Sequence, residues 1–123
     1  MFDTNILIDY LSGVDQARIE LDKYSDKAIS LITWMEVMVG ATDETADIVQ
    51  GFLRGFVNLP IDERVSHAAV ALRRQHGVKL PDAIIWATAR TDKRILVTRN
   101  TRDFSPDDPG IRVPYQITPT RKQ

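Results

Sequence analysis

Ala28-Ile29-Ser30-Leu31-Ile32, followed directly by Thr33-Trp34-Met35-Glu36, is the stretch on which the fold is read. The first five residues form a short apolar run of the length of a buried strand. The next four open a helix that runs to Gly40. A strand feeding straight into a helix is the repeating unit of α/β architecture. The same transition recurs in both directions. Upstream, Asp3-Thr4-Asn5 reads as a turn, the run from Ile6 as a short helix, and Gly13 as its stop; Val14 to Tyr24 has an imperfect helical pattern. Downstream, Asp43 to Phe56 has apolar residues at helical spacing, and Val57 to Ile61 reads as a short strand whose Pro60 suits a sheet edge. Val65 to His76 is a helix closed by Gly77, Pro81-Asp82 opens an apolar helix through Ala89, Ile95 to Thr98 is a strand, and Ile111 to Ile117 is a weaker one. Strands alternating with helices predict an α/β fold with a mostly parallel central sheet of about four to five strands flanked by helices in three layers.

With 123 residues, no repeat, no low-complexity tract and no linker, the chain reads as one domain spanning residues 1–123. It has no cysteine, which excludes disulfides and thiolate metal sites and fits a reducing cytoplasm. No apolar run reaches the roughly 18–20 residues of a membrane span, and no basic region precedes the first apolar stretch, so neither a membrane anchor nor a signal peptide is expected. The net charge of −1 hides an asymmetry: residues 1–61 carry four basic and ten acidic side chains, residues 62–123 twelve and seven. A basic half suits nucleic acid, and equally suits solvated helix faces.

Four acids stand where apolar segments turn into helices: Asp3, Glu36, Asp82 and Asp103. Each has a structural reading of its own. Asp3 suits a helix cap, and Thr33-x-x-Glu36 has the form of a capping box. Asp82 after Pro81 suits a first helical turn, and Asp103 sits in a polar loop. Jointly they say more. If the segments are parallel strands, the carboxylates meet beyond the strand ends, where open α/β sheets bind ligands. Crowded carboxylates repel one another unless a cation neutralises them. Carboxylates without His, Cys or Lys suit a hard divalent ion such as Mg²⁺ or Mn²⁺.

At four stretches the chain resembles the PIN-domain ribonucleases, in particular the VapC-type toxins of bacterial toxin–antitoxin pairs. These are Asp3-Thr4-Asn5-Ile6-Leu7-Ile8, Ile32-Thr33-Trp34-Met35-Glu36-Val37, Leu80-Pro81-Asp82-Ala83-Ile84-Ile85-Trp86-Ala87-Thr88-Ala89, and Val97-Thr98-Arg99-Asn100-Thr101-Arg102-Asp103-Phe104. Their order and spacing match the family over nearly the whole chain. The resemblance implies Mg²⁺- or Mn²⁺-dependent endoribonuclease activity, an RNA substrate, a cognate antitoxin and a homodimer. It places the acidic quartet on Asp3, Glu36, Asp82 and a fourth position, filled by Asp103 or, as a neutral oxygen donor, by Asn100. Thr98 matches a supporting hydroxyl, with Asn5 and Asn100 beside it. Family members usually carry several apolar residues before the first acid. Here only Met1 and Phe2 precede Asp3, so either the strand is clipped or the numbered start lies inside a longer natural chain, and a ligand on a frayed terminus is expected to be loosely held.

Around the acids, Arg99 and Arg102 are candidates to hold phosphate oxygens, or else to balance the acids or face solvent. Trp34 and Trp86 suit core packing or base stacking. His67 and His76 suit surface or packing positions, so a general-base histidine is not expected. Two rival readings share the fold: a phospho-acceptor, receiver-like signalling domain, and a non-catalytic module that binds nucleic acid or protein. Against the receiver, Asp3 has no acidic neighbour until Asp9.

Overall fold

The computed structural model describes residues 1–117. The elements run α1 (Thr4–Leu11), α2 (Asp15–Asp22), β1 (Ala28–Ser30), α3 (Leu31–Val39), α4 (Ala46–Leu53), β2 (Val57–Leu59), α5 (Glu63–His76), α6 (Leu80–Thr91), β3 (Leu96–Val97) and β4 (Ile111–Arg112). The alternation expected from the sequence is present, with shorter strands. β1 ends at Ser30, because the Ser30 hydroxyl accepts from the Ile32 N–H at 3.2 Å and caps α3 there. Thr33 is therefore inside the helix, and the capping box read at Thr33 and Glu36 does not form. α5 begins on Asp62, whose carboxylate accepts from Val65 N–H at 2.9 Å, and ends on Gly77 in the left-handed region at φ 70°.

β1 pairs with β2, and β3 with β4, both in parallel. The N-terminal residues lie between the pairs. Phe2 N–H donates to Ala28 O at 3.0 Å, Asp3 N–H to Val97 O at 2.9 Å, and Val97 N–H to Met1 O at 2.8 Å. Phe2 bridges Val97 in parallel. Instead of one regular sheet of four to five strands, the described residues form two short pairs and this bridge. The segment before Asp3 is not loose: Met1, Phe2 and Asp3 are all buried.

Side chains alternate across these strand pieces, as the two-residue period requires. Met1, Ala28 and Leu96 enter a core with Val65, Leu72, Ile85 and Phe104, under α5 and α6. Their neighbours Phe2, Ile29 and Val97 enter a second core with Ile6, Leu7, Val37 and Leu53, under α1, α3 and α4. The strand pieces thus carry helices on both faces. Fully buried Ile6, Leu7 and Phe104 each contribute about 1.5–3 kcal/mol by leaving water. Among the described residues, no helix is long and apolar enough to cross a membrane.

Candidate active site

Asp3, Glu36 and Thr98 all follow the carboxyl ends of strand pieces. Asp3 succeeds the Phe2 bridge, α3 with Glu36 follows β1 directly, and Thr98 is the first residue after β3. Asp3 is 3% exposed, and every bond it accepts comes from chain neighbours or from that strand end. Oδ1 accepts from Thr4 N–H at 2.7 Å, and Oδ2 from the Thr98 hydroxyl at 2.7 Å and Asn5 Nδ2 at 3.2 Å. Burial pushes the Asp3 carboxyl above its ordinary range, these donors pull it back, and the charge of Glu36 pushes it further up.

Asp82 sits in the first turn of α6, half-buried beside this group. Burial, then the charges of Asp3 and Asp103, a hydrogen bond to Asp103 and the charge of Glu36 push its carboxyl up to about 6. The other three predicted acids therefore all bear on Asp82, although 100 residues of chain separate the first acid from the last. Asn100 and Asp103 turn out to be partners: Asn100 Nδ2 donates to Asp103 Oδ2 at 3.0 Å, and Asn100 Oδ1 accepts from the N–H groups of Arg102 and Asp103.

Glu36 differs from what the apolar residues around it suggest. On α3 only Thr33 and Val37 are buried, and Glu36 faces solvent at the rim. Its Oε1 accepts from the Thr4 hydroxyl at 2.6 Å. The Thr33 hydroxyl lies 3.0 Å from the same Thr4 oxygen. A hydroxyl has one proton, so with that proton on Glu36, Thr33 is left to donate to Thr4. Thr4 thereby links Asp3, through its N–H, to Glu36, through its side chain. Sequence reading passed over Thr4, although it stands inside the Asp-Thr-Asn run.

Arg99 does not extend toward the acids. Its Nε and Nη2 grip both oxygens of Asp9 at 2.7 and 2.9 Å, and Tyr115 OH donates to Asp9 Oδ2 at 2.8 Å. Of the readings open for this arginine, the contact fits charge balance, with an acid outside the quartet. Arg102 is exposed in the same loop. Trp86 is a core residue, edge-on to Phe104 at 5.4 Å and packed by His76 at 4.8 Å; Trp34 is partly buried against the second core. His67 is exposed beside Glu63.

As donors for a divalent ion, Asp3, Glu36, Asp82 and Asp103 supply hard oxygens only, as Mg²⁺ or Mn²⁺ requires. Their mutual repulsion is what a cation would relieve. The set is an open one: among the described residues, no three His, Cys, Asp or Glu side chains stand close enough to enclose an ion. The fit is therefore one of donor chemistry and charge, not of a closed cage.

The PIN domain profile matches residues 1–105. No curated protein matches the chain. Among solved structures, a toxin–antitoxin complex from Klebsiella pneumoniae is 47% identical, covers 94% of this chain and 98% of its own, and superposes with a TM-score of 0.89. A DNA-bound VapBC from Salmonella typhimurium is 27% identical over 91% of this chain and 93% of its own, at a TM-score of 0.76. FitAcB from Neisseria gonorrhoeae, 24% identical over 94% and 98% with a TM-score of 0.77, shares the fold. The chain belongs to the PIN domain family.

Proposed function

We propose that this protein is a Mg²⁺- or Mn²⁺-dependent endoribonuclease and the toxin of a toxin–antitoxin pair. The observation that carries the reading is the gathering of Asp3, Glu36 and Asp103 around Asp82, whose carboxyl their charges push up, beside the strand ends of a PIN domain. The similarity to the toxin–antitoxin complex from Klebsiella pneumoniae supports the biological role. Asp3 and Asp82 would hold the ion, with Glu36 and the Asn100–Asp103 pair completing the site. A bound Mg²⁺ or Mn²⁺ supplies Lewis acidity and positive charge at the scissile phosphate. The chain's own residues do the rest. Thr98, Thr4 and Asn5 hold Asp3 in place, Glu36 orients water at the rim, and Arg102 reaches phosphate oxygens from the loop. The receiver-like alternative is not favoured, because the family match and the structural relatives are PIN and toxin–antitoxin proteins. Total RNA incubated with Mg²⁺, Mn²⁺ or EDTA tests the activity. Wild type is expected to cleave with either metal, and Asp82→Asn to stay folded with almost no cleavage. Undiminished cleavage by that variant removes Asp82 from the site, and binding without metal-dependent cleavage favours the non-catalytic module.

Beside Glu36 runs an apolar cleft of about 380 Å³ between α1, α3 and α4, lined by Ile8, Leu11, Val37, Ala41, Ile48 and Val49. Because Glu36 forms part of its wall, an apolar segment of the antitoxin seated here would lie against the acids and close them off. Ile48 is 73% exposed. Ile48→Glu is expected to weaken antitoxin binding at least tenfold, since it buries an unpaired charge in the complex, while free toxin cleaves as before. Unchanged affinity by calorimetry would move the antitoxin elsewhere. The protein is also proposed to act as a homodimer in the cytoplasm; a monomer mass by light scattering at micromolar concentration argues against the dimer.

A further inference from the structure

We infer that Asp9 and Arg99 are positioning residues for the acidic site, acting on Asp3 through Asn5 and Thr98. The inference rests on the metal-dependent reading above and adds residues that the quartet does not include.

Asp9 is a carboxylate at 6% exposure on α1, amid the residues that line the second core. Its oxygens accept three bonds, two from the Arg99 fork and one from Tyr115. An ion pair that buries its carboxylate is a poor device for stability alone, because desolvation offsets much of the attraction. What a two-pronged arginine–carboxylate contact supplies is fixed geometry. Here it fixes the segment after β3 against α1.

That segment carries the donors to Asp3. Arg99 N–H donates to Asn5 Oδ1 at 3.2 Å. This bond decides which way the Asn5 amide faces: with Oδ1 held by Arg99, Nδ2 is turned to Asp3 Oδ2 at 3.2 Å and Thr98 Oγ1 at 3.4 Å. The adjacent Thr98 hydroxyl donates to the same Asp3 oxygen at 2.7 Å and accepts from Asn100 N–H at 3.0 Å. Asn5 and Asp9 stand one turn apart on one face of α1. They therefore hold the segment at two points, Asn5 by the Arg99 backbone and Asp9 by its side chain. Both donors to Asp3 Oδ2 take their places from this pair of contacts. If the 98–100 segment shifts on α1, Asp3 loses orientation, although neither Asp9 nor Arg99 touches it.

The test is Mn²⁺ affinity by isothermal calorimetry without RNA, with melting temperature and cleavage kinetics alongside. Arg99→Lys keeps the charge opposite Asp9 but cannot grip two oxygens at once. Asp9→Asn keeps the shape and loses the charge. Both are expected to weaken Mn²⁺ binding by roughly tenfold, the usual cost of losing an outer partner of a metal ligand. Both should lower kcat with little change in KM, and excess Mn²⁺ should restore much of the loss. Tyr115→Phe removes one bond from the same cluster without touching the fork; it should lower the melting temperature and leave Mn²⁺ affinity where it was. Folded Arg99→Lys and Asp9→Asn proteins with wild-type Mn²⁺ affinity overturn the inference. So does an equal loss of affinity in Tyr115→Phe, which would make the cluster a brace and nothing more. If Asp9→Asn does not fold, Arg99→Lys decides. Wild type that fails to bind Mn²⁺ at all removes the metal-dependent reading itself, and the inference with it.

Discussion

Asp82 shows how far a single carboxyl can be set against stability by its neighbours. Its value in the folded protein is about 6, above the ordinary 3.8. Folding therefore favours the protonated form. The penalty for the charged form is complete above about pH 6, fades as pH falls, and is gone below 3.8. Asp82→Asn removes that charge for good. Metal-free Asp82→Asn is expected to melt at higher temperature than wild type near neutral pH, with the difference shrinking to nothing in mild acid. Thermal denaturation in EDTA across that range checks it. A variant less stable than wild type at neutral pH would mean that Asp82 is stabilised by contacts other than the acids. On the proposed function, activity and stability pull this residue in opposite directions, as they do where a site is built from like charges.

At the level of elements, the helix α2 and the strand β4 are joined by one buried acid. Glu20 is 2% exposed, and Arg112 grips its oxygens at 2.7 and 2.9 Å. Tyr24 OH adds a bond at 2.9 Å. The Arg112 bonds lead in holding the Glu20 carboxyl down at about 2, against an ordinary 4.5. The sign here is opposite to that of Asp82. Stability from Glu20 is present above pH 4.5 and is lost as pH falls toward 2. Spread over that window, the loss is roughly 2–3 kcal/mol. Glu20→Gln should flatten the acid limb of the stability curve and lower stability at neutral pH by about 2 kcal/mol. Chemical denaturation of the two proteins at several pH values measures both effects, and parallel curves would remove Glu20 from the acid response. α3 makes a different point. Its start was set by a local hydroxyl on Ser30, which overrode the longer strand suggested by Leu31 and Ile32. Apolar residues at a strand end do not say whether the backbone continues extended or turns.

For the whole molecule, the charge asymmetry between the halves has a structural meaning. Arg94, Arg99 and Arg112, all from the basic half, pair with Asp26, Asp9 and Glu20 of the acidic half. Part of the imbalance that suggested a nucleic-acid footprint is thus spent in joining the two halves of the chain. Among the described residues, Asp3, Glu36, Asp82 and Asp103 take no part in such pairs, and the charges of the other three push the Asp82 carboxyl up, a cost to the fold without a cation. Millimolar Mn²⁺ or Mg²⁺ is expected to raise the melting temperature of wild type, by mass action on a site that the unfolded chain lacks. Asp82→Asn should show little of that rise. Scanning calorimetry with and without EDTA reads it, and equal shifts in both proteins would place the ion elsewhere.

The sequence by itself determined the class of fold and which acids are candidates for the site. Alternating strand and helix patterns marked out parallel α/β pieces, and the oxygen-only side chains near the strand-to-helix turns marked out the acids proposed to hold a hard cation, because both depend on local order along the chain. Thr98 and Asn5 were legible for the same reason, standing beside their strand end and their acid. The roles of Arg99, Asp9 and Thr4 were decided only by the tertiary structure. Arg99 could reach several acids, and which one it took depended on α1 lying beside the end of β3, 90 residues away. Pairing between remote side chains is settled by which faces the cores bury, and no short stretch of sequence carries that choice.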